Sequence, residues 1–391
     1  MHAAKRSCAG ILHEWMFGHG SREVRHMFTK SRAFIIHMGI AMVSTLLALL
    51  ALEFGVRWAL ADKIVLFPRN HAEARYGDFA IRRMIPDIGF WHESIDGRWH
   101  FKINRNGFRD DEDYVYEKPP GAFRVLALGD SHTAGFEVAQ NETFSAQLEA
   151  ELRRRGIEAE VLNTGISGFG TAEQVVFLEN EGLKFRPDAV VVAFYANDYS
   201  DNLRSGLFRL NDGRLEVASK RYAPAVEAIA LTHAIPGLKW LSENSYAYSL
   251  AFNAVWEFFK GLSVRKAETE YAVPVEDVRR IEIDMAAALL NRLAQSCRKS
   301  DIPCILADIP MLEGASGYVS SLKPALLDQV SGNYRVILTS KSYLGSRPAE
   351  AVFVPHGHRH ISAQTHRALA HALAERLAAG AVRTARAPRR Q

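Results

Sequence analysis

The chain is poor in cysteine, with three in 391 residues, at Cys8, Cys297 and Cys304. So sparse a set excludes a small disulfide-stapled scaffold, and the length suffices for a core that needs no staple. Cys297 and Cys304 fall at the end of a predicted helix and in the strand after it. Two readings stand, a disulfide in an oxidising compartment or two buried thiols. The second carries more weight, because so short a helix-to-strand corner need not bring the Cα atoms within bonding range. Internal repeats and long flexible linkers are also missing, since the 27 glycines and 14 prolines are scattered. Neither sign of charge dominates: 48 basic against 44 acidic residues leave +4. No basic stripe interleaved with aromatics and no helix-turn-helix pattern appears, which excludes a nucleic-acid surface.

Even that small positive balance is concentrated at the ends. The first 32 residues carry Lys5, Arg6, Arg22, Arg25, Lys30 and Arg32 against Glu14 and Glu23, and the tail adds Arg383, Arg386, Arg389 and Arg390, so the remainder is net acidic. Between arm and body, residues 33–52 hold one titratable side chain, His37, before Glu53 closes the run. At about 1.5 Å per residue a helix of that length covers a hydrocarbon core of about 30 Å. The run carries no polar stripe, as a buried core helix would, so residues 33–54 are read as a transmembrane helix. The basic arm, residues 1–32, then stays in the cytoplasm and everything after the span lies outside. A cleaved signal peptide ending at Ala61 fits less well, because Arg57 and Trp58 separate that site from an overlong apolar run.

Beyond the span the periods change. Residues 63–120 are mixed, with one alternating segment at Trp99–Ile103, and read as an extended cap. From residue 121 short apolar runs alternate with helical patterns. Strands are predicted at Phe123–Leu128, Ala159–Leu162, Ala189–Phe194, Pro303–Ile309 and Arg335–Leu338, and helices at Glu142–Arg155, Thr171–Leu183 and Glu276–Arg298. This is the pattern of a parallel sheet covered on both faces, with ligands at the carboxyl ends of its strands. The alternation is interrupted over residues 203–273, where Asn211, Asp212 and Gly213 suggest a strand-turn-strand and the aromatic tract Trp240–Phe259 reads as a helical lid. The last residues, 381–391, read as a disordered tail.

Four strand ends carry candidate chemistry. Gly129, Asp130 and Ser131 follow the first strand; Asn163–Thr171, rich in glycine, follows the second; Ala196, Asn197 and Asp198 follow the third; and the histidine-rich stretch from Gly357 to His366 precedes a C-terminal helical pattern. A serine hydroxyl becomes a nucleophile only when a base takes its proton and backbone N–H groups receive the oxyanion, and a strand end can supply both.

These four blocks, in this order, resemble the SGNH branch of the GDSL esterase/lipase family over roughly residues 85–378. The bacterial membrane-anchored subgroup is the nearest in pattern, since Asn104–Asp110 matches its Asn-x-x-Gly-Phe-Arg element. The resemblance implies a flavodoxin-like α/β/α sandwich occupying residues 121–380, with Ser131 as nucleophile and His360 as catalytic base. It implies an oxyanion hole made of the Ser131 and Gly168 backbone and the Asn197 amide, and no cofactor or metal. Asp130 is read as structural, accepting backbone N–H bonds in its loop, and His132 as pointing away from the nucleophile.

Two departures from the family pattern matter. Tyr195 stands where a glycine is usual and is expected to narrow the site. The acid normally found two or three residues before the histidine is absent: those positions are His358 and Gly357, and no carboxylate lies between Glu350 and Glu375. Three readings follow for His356–His360. One is a Ser131–His360 dyad whose imidazole is oriented by a carbonyl, by His358 or by a distant carboxylate, Asp198 and Asp201 being nearest in kind. The others are a histidine metal site and a catalytically silent domain. The expectation is a serine esterase anchored in the bacterial inner membrane with its domain outside. It would act on O-acyl groups of envelope or exported glycans, with O-acetyl transfer or glycan binding as alternatives.

Overall fold

The N-terminal apolar run is the middle of one long helix, α1 (Cys8–Leu60). The computed structural model describes residues 8–64, 66, 70–222, 230, 234–271, 275–314, 316–356 and 359–386. Within α1, Ser31–Leu60 contains an 18-residue window with a mean hydropathy of 2.3 and no buried residue, so by length and composition this stretch is able to cross a membrane. The basic arm, expected as a separate segment through residue 32, continues this helix from Cys8 onward. The chain divides into two compact units, residues 1–59 and 60–391.

The second unit opens with two antiparallel hairpins, β1 (His71–Tyr76) with β2 (Phe79–Met84), and β3 (Ile88–Ser94) with β4 (Gly97–Ile103). One strand is predicted here and four form. The missed ones alternate weakly because Arg82, His92 and Ser94 face inward as buried polar residues.

The central sheet then begins with β5 (Phe123–Leu128), followed by β6 (Ala159–Asn163) and β7 (Ala189–Phe194). The insertion supplies the hairpin β8 (Phe208–Asn211) with β9 (Arg214–Val217), turned by Asp212 and Gly213 at φ 48° and 74°, and β10 (Arg221–Tyr222), which joins β2. After it come β11 (Cys304–Asp308), the short pair β12 (Met311–Glu313) and β13 (Gly317–Val319), and β14 (Val336–Leu338). The five-stranded sheet runs β14-β11-β7-β5-β6, all parallel. In order of appearance that is 2-1-3-4-5, the flavodoxin-like arrangement, whose switch point lies between β5 and its neighbours. Ligands gather at the carboxyl ends there.

Period-two alternation divides these strands between two cores. Val125, Ala127, Val161, Val191 and Ala307 face α3 (Phe144–Arg154) and the C-terminal helix, while Leu126, Leu128, Leu162, Val192 and Leu306 face the other layer. Numbering in chain order, the helices are α2 (Ser131–Ala134), α3, α4 (Thr171–Asn180), α5 (Asp198–Ser205), α6 (Leu238–Asn244), α7 (Tyr246–Tyr271), α8 (Val275–Lys299), α9 (Pro324–Val330), α10 (Ser340–Leu344), α11 (Ala349–Val352) and α12 (Ala363–Arg386). The stripe Phe144, Leu148 and Leu152 on α3 is fully buried, as its i, i+4, i+8 spacing predicts. α12 runs to Arg386, past the start of the expected disordered tail, and residues 387–391 lie outside the described residues. Cys297 and Cys304 are free, buried thiols.

Candidate active site

β5 ends at Leu128, and the chain turns through Gly129 and Asp130 into α2, whose first residue is Ser131. Asp130 caps this short helix: its Oδ1 accepts the His132 N–H at 2.9 Å. Its carboxyl is fully buried and pushed up to about 6, chiefly by that burial, with the His132 N–H, His360 and the Asn197 amide drawing it back down. Ser131 itself keeps partial exposure while the rest of α2 is buried.

His360 reaches the same point from the loop before α12. Its carbonyl accepts the Val354 N–H at 2.8 Å, and Ile361 bridges Phe353, so the loop is tied to its own upstream segment. The ring is buried, with Nε2 3.0 Å from Ser131 Oγ. Nδ1 lies 3.1 Å from Glu137 Oε2. With Nδ1 protonated, the ring donates to Glu137 and leaves Nε2 to accept from the serine hydroxyl. The series Glu137, His360, Ser131 thus has the connectivity of an acid, base and nucleophile.

This corrects the search for an orienting carboxylate among Asp198 and Asp201. Asp198 Oδ2 accepts the Tyr195 N–H at 3.2 Å, and Asp201 pairs with Arg204 at 2.9 Å. His358, the other candidate, lies outside the described residues. Glu137 was missed because the family pattern directs attention upstream of the histidine, whereas this acid is six residues after the serine. One signal was available: a carboxylate set between Phe136 and Val138 in a buried stretch, which is costly unless something pairs with it. Its backbone adds a second, since φ is 64°, a left-handed conformation that costs a non-glycine residue about 1 kcal/mol and tends to persist where function requires it.

Arg109 holds that backbone. The turn at Asn104–Arg109 is built on Asn104 Oδ1, which accepts the N–H groups of Asn106 and Phe108 at 3.0 Å each. It projects Arg109 into the core, where the guanidinium donates to the carbonyls of Ala134 (2.9 Å), Gly135 and Val138 (2.8 Å) and stacks 3.5 Å from the Phe101 ring centre. The Asn-x-x-Gly-Phe-Arg element therefore braces the loop that carries Glu137.

Gly168 lies in the loop after β6 at φ 73°, and its carbonyl accepts from Arg82 of β2. A Cβ there would come within 2.7 Å of that guanidinium, so a glycine is required both by conformation and by space. Asn197 follows β7 and is half-buried, its amide directed to Asp130. Ser131, Gly168 and Asn197 thus all stand just past carboxyl ends of strands in one sheet. His132 turns away from the serine: its Nδ1 accepts the Ile361 N–H at 3.4 Å, its ring lies 4.1 Å from Tyr195, and burial holds its pKa well below the usual value. His356 is bonded to Asp96 at 2.8 Å and His360 to Glu137, so these two histidines serve different partners. Among the described residues no group of three or more His, Cys, Asp or Glu side chains is placed to hold a metal ion.

A serine loop thus stands at the switch point of a 2-1-3-4-5 sheet, with a histidine delivered to it from the loop before the last helix. Residues 127–319 match the GDSL-like Lipase/Acylhydrolase family model. At the level of class it is an ester hydrolase. His360 lies beyond the matched stretch, so its place rests on the geometry. Among solved structures, Axe2, an acetylxylan esterase from Geobacillus stearothermophilus, is 14% identical with a TM-score of 0.36, covering 65% of this chain and 93% of that one. The SGNH-hydrolase family esterase AlinE4 is 16% identical with a TM-score of 0.33, covering 69% and 100%. A lipolytic protein of the G-D-S-L family from Desulfitobacterium hafniense DCB-2 is 10% identical with a TM-score of 0.32, covering 64% and 98%. No curated protein sequence matches the chain.

Proposed function

We propose that this chain is a membrane-anchored serine esterase acting outside the cytoplasm on O-acyl groups, acetyl above all, of envelope or exported glycans. The observation that carries the catalytic part is the hydrogen-bonded series from Glu137 through His360 to Ser131. His360 Nε2 takes the hydroxyl proton as Ser131 Oγ bonds to the acyl carbon, and Glu137 stabilises the imidazolium through Nδ1–H. The oxyanion is received by the Ser131 and Gly168 N–H groups and the Asn197 amide. The carbon–oxygen bond to the sugar breaks, the leaving alkoxide takes the proton from His360, and water then releases the acyl group by the same steps in reverse. Were a second sugar hydroxyl to replace water, the same site would transfer the group.

A carboxylate facing His360 supports a working site over a silent domain, a reading that rested on its apparent absence. The glycan assignment rests on topology: a basic arm before a single apolar helix directs the body outward, where acylated glycans are found. Labelling by a fluorophosphonate probe tests the reading. Wild-type protein is expected to be modified at Ser131, and Ser131→Ala and His360→Ala to stay unlabelled. Modification at another residue, or none in the wild type, overturns it.

A further inference from the structure

The hairpin β3–β4 belongs to neither the family-matched stretch nor the strand-end loops, yet it meets both the Glu137 loop and the start of the His360 loop. His92, on β3, is completely buried, and its Nε2 lies 4.0 Å from Oε1 of Glu137, the oxygen that His360 does not use. Its ring packs edge-on against Phe136 at 5.0 Å between centres, and Phe136 in turn stacks on His360 at 5.8 Å. At the tip of the same hairpin Asp96 accepts the backbone N–H of His356 at 3.0 Å and faces its ring at 2.8 Å, which ties down the start of the loop carrying His360.

A buried carboxylate with one oxygen committed to an imidazole is free to rotate about its last torsion unless the second oxygen is also oriented. It is also costly as an anion unless a polar group faces that oxygen. We propose that His92 is a positioning residue for this site: it orients the Glu137 carboxylate toward His360, so that the N-terminal hairpin completes the acid of the triad. The inference rests on the reading of Glu137, His360 and Ser131 as a working set. Among the described residues, His360 from the loop before α12 and His92 from β3 face Glu137. Arg109 lies on the flanking carbonyls, and His132 and Asp130 stand on the loop of Ser131.

His92→Phe keeps the aromatic packing and removes the polar face, whereas His92→Gln keeps a donor near the position of Nε2. With the full chain in detergent micelles and a short p-nitrophenyl ester, His92→Phe should lower kcat by about 10–100-fold with KM little changed, the usual scale for a misplaced catalytic group. His92→Gln should restore most of the lost rate. A second measurement does not depend on turnover: the far-downfield proton signal of His360 Nδ1–H, identified by its loss in His360→Ala, should weaken or shift in His92→Phe and return in His92→Gln. If the wild type hydrolyses no more than Ser131→Ala, the esterase reading fails, and the signal alone then judges His92. The inference is overturned if the signal is indifferent to His92→Phe or missing from the wild type. It is equally overturned if both variants slow the reaction alike, which is what a mere packing role would give.

Discussion

Glu137 is the residue on which the proposed chemistry turns, and its two unusual properties can be separated. Its carboxyl group faces His360, and its left-handed backbone is a strain that the fold tolerates. Glu137→Gln keeps the shape and removes the charge, so kcat should fall by about 10²–10⁴-fold, the range expected when a triad loses its acid. Glu137→Gly removes charge and strain together. It should be as inactive as the Gln variant, with a melting temperature equal to or above the wild type, because glycine adopts positive φ without the penalty of about 1 kcal/mol. Activity assays beside thermal melts decide it: a marked drop in melting temperature for the Gly variant would make Glu137 a structural residue first.

At the scale of elements, the site is a set of strand ends braced from behind. α4 begins at Gly170, where Glu173 reaches back to accept the Gly170 N–H at 3.1 Å and Asn202 Oδ1 accepts the Ala172 N–H at 2.9 Å, joining the Gly168 loop to α5. Glu173 is wholly buried, and burial pushes its pKa up to about 8 with Arg82 opposing. A carboxyl whose folded pKa lies above its unfolded one binds more protons when folded, so its contribution to stability declines as pH rises from near 4.5 toward 8. Glu173→Gln keeps an acceptor for Gly170 and does not ionise. Its stability relative to wild type should therefore increase steadily from pH 5 to pH 8, read as the difference between the two melting temperatures. A difference that stays level across that window would mean the carboxyl titrates where it does in the unfolded chain.

On the scale of the whole molecule, the apolar helix and the body are separate compact units, and the body includes both hairpins. A reporter fused after Gln391 should be active only outside the cytoplasm, since the basic arm precedes the span; activity inside would reverse the topology. A chain starting at residue 60 should hydrolyse the ester without detergent. One starting at residue 121 lacks Arg82, His92 and Arg109 and should lose hydrolysis even where it remains folded by circular dichroism.

Short-range physics was enough for much of this. Buried strands announce themselves because a parallel sheet covered on both faces needs near-continuous apolar runs, so β5, β6, β7, β11 and β14 were legible within a residue or two. The apolar helix was legible for the same reason, and the recognisable blocks pointed to Ser131 and His360, which the fold sets 3.0 Å apart. The hairpins of residues 71–103 were less so, because their inward faces carry polar residues that only the site explains. Glu137 could not be paired with His360 from the sequence, for the two are 223 residues apart and the histidine's own neighbourhood offers no carboxylate. Which buried charge meets which partner is decided by how the β5 loop, the C-terminal loop and the N-terminal hairpin converge. The cost of an unpaired buried carboxylate makes that convergence specific, but its geometry exists only once the chain has folded.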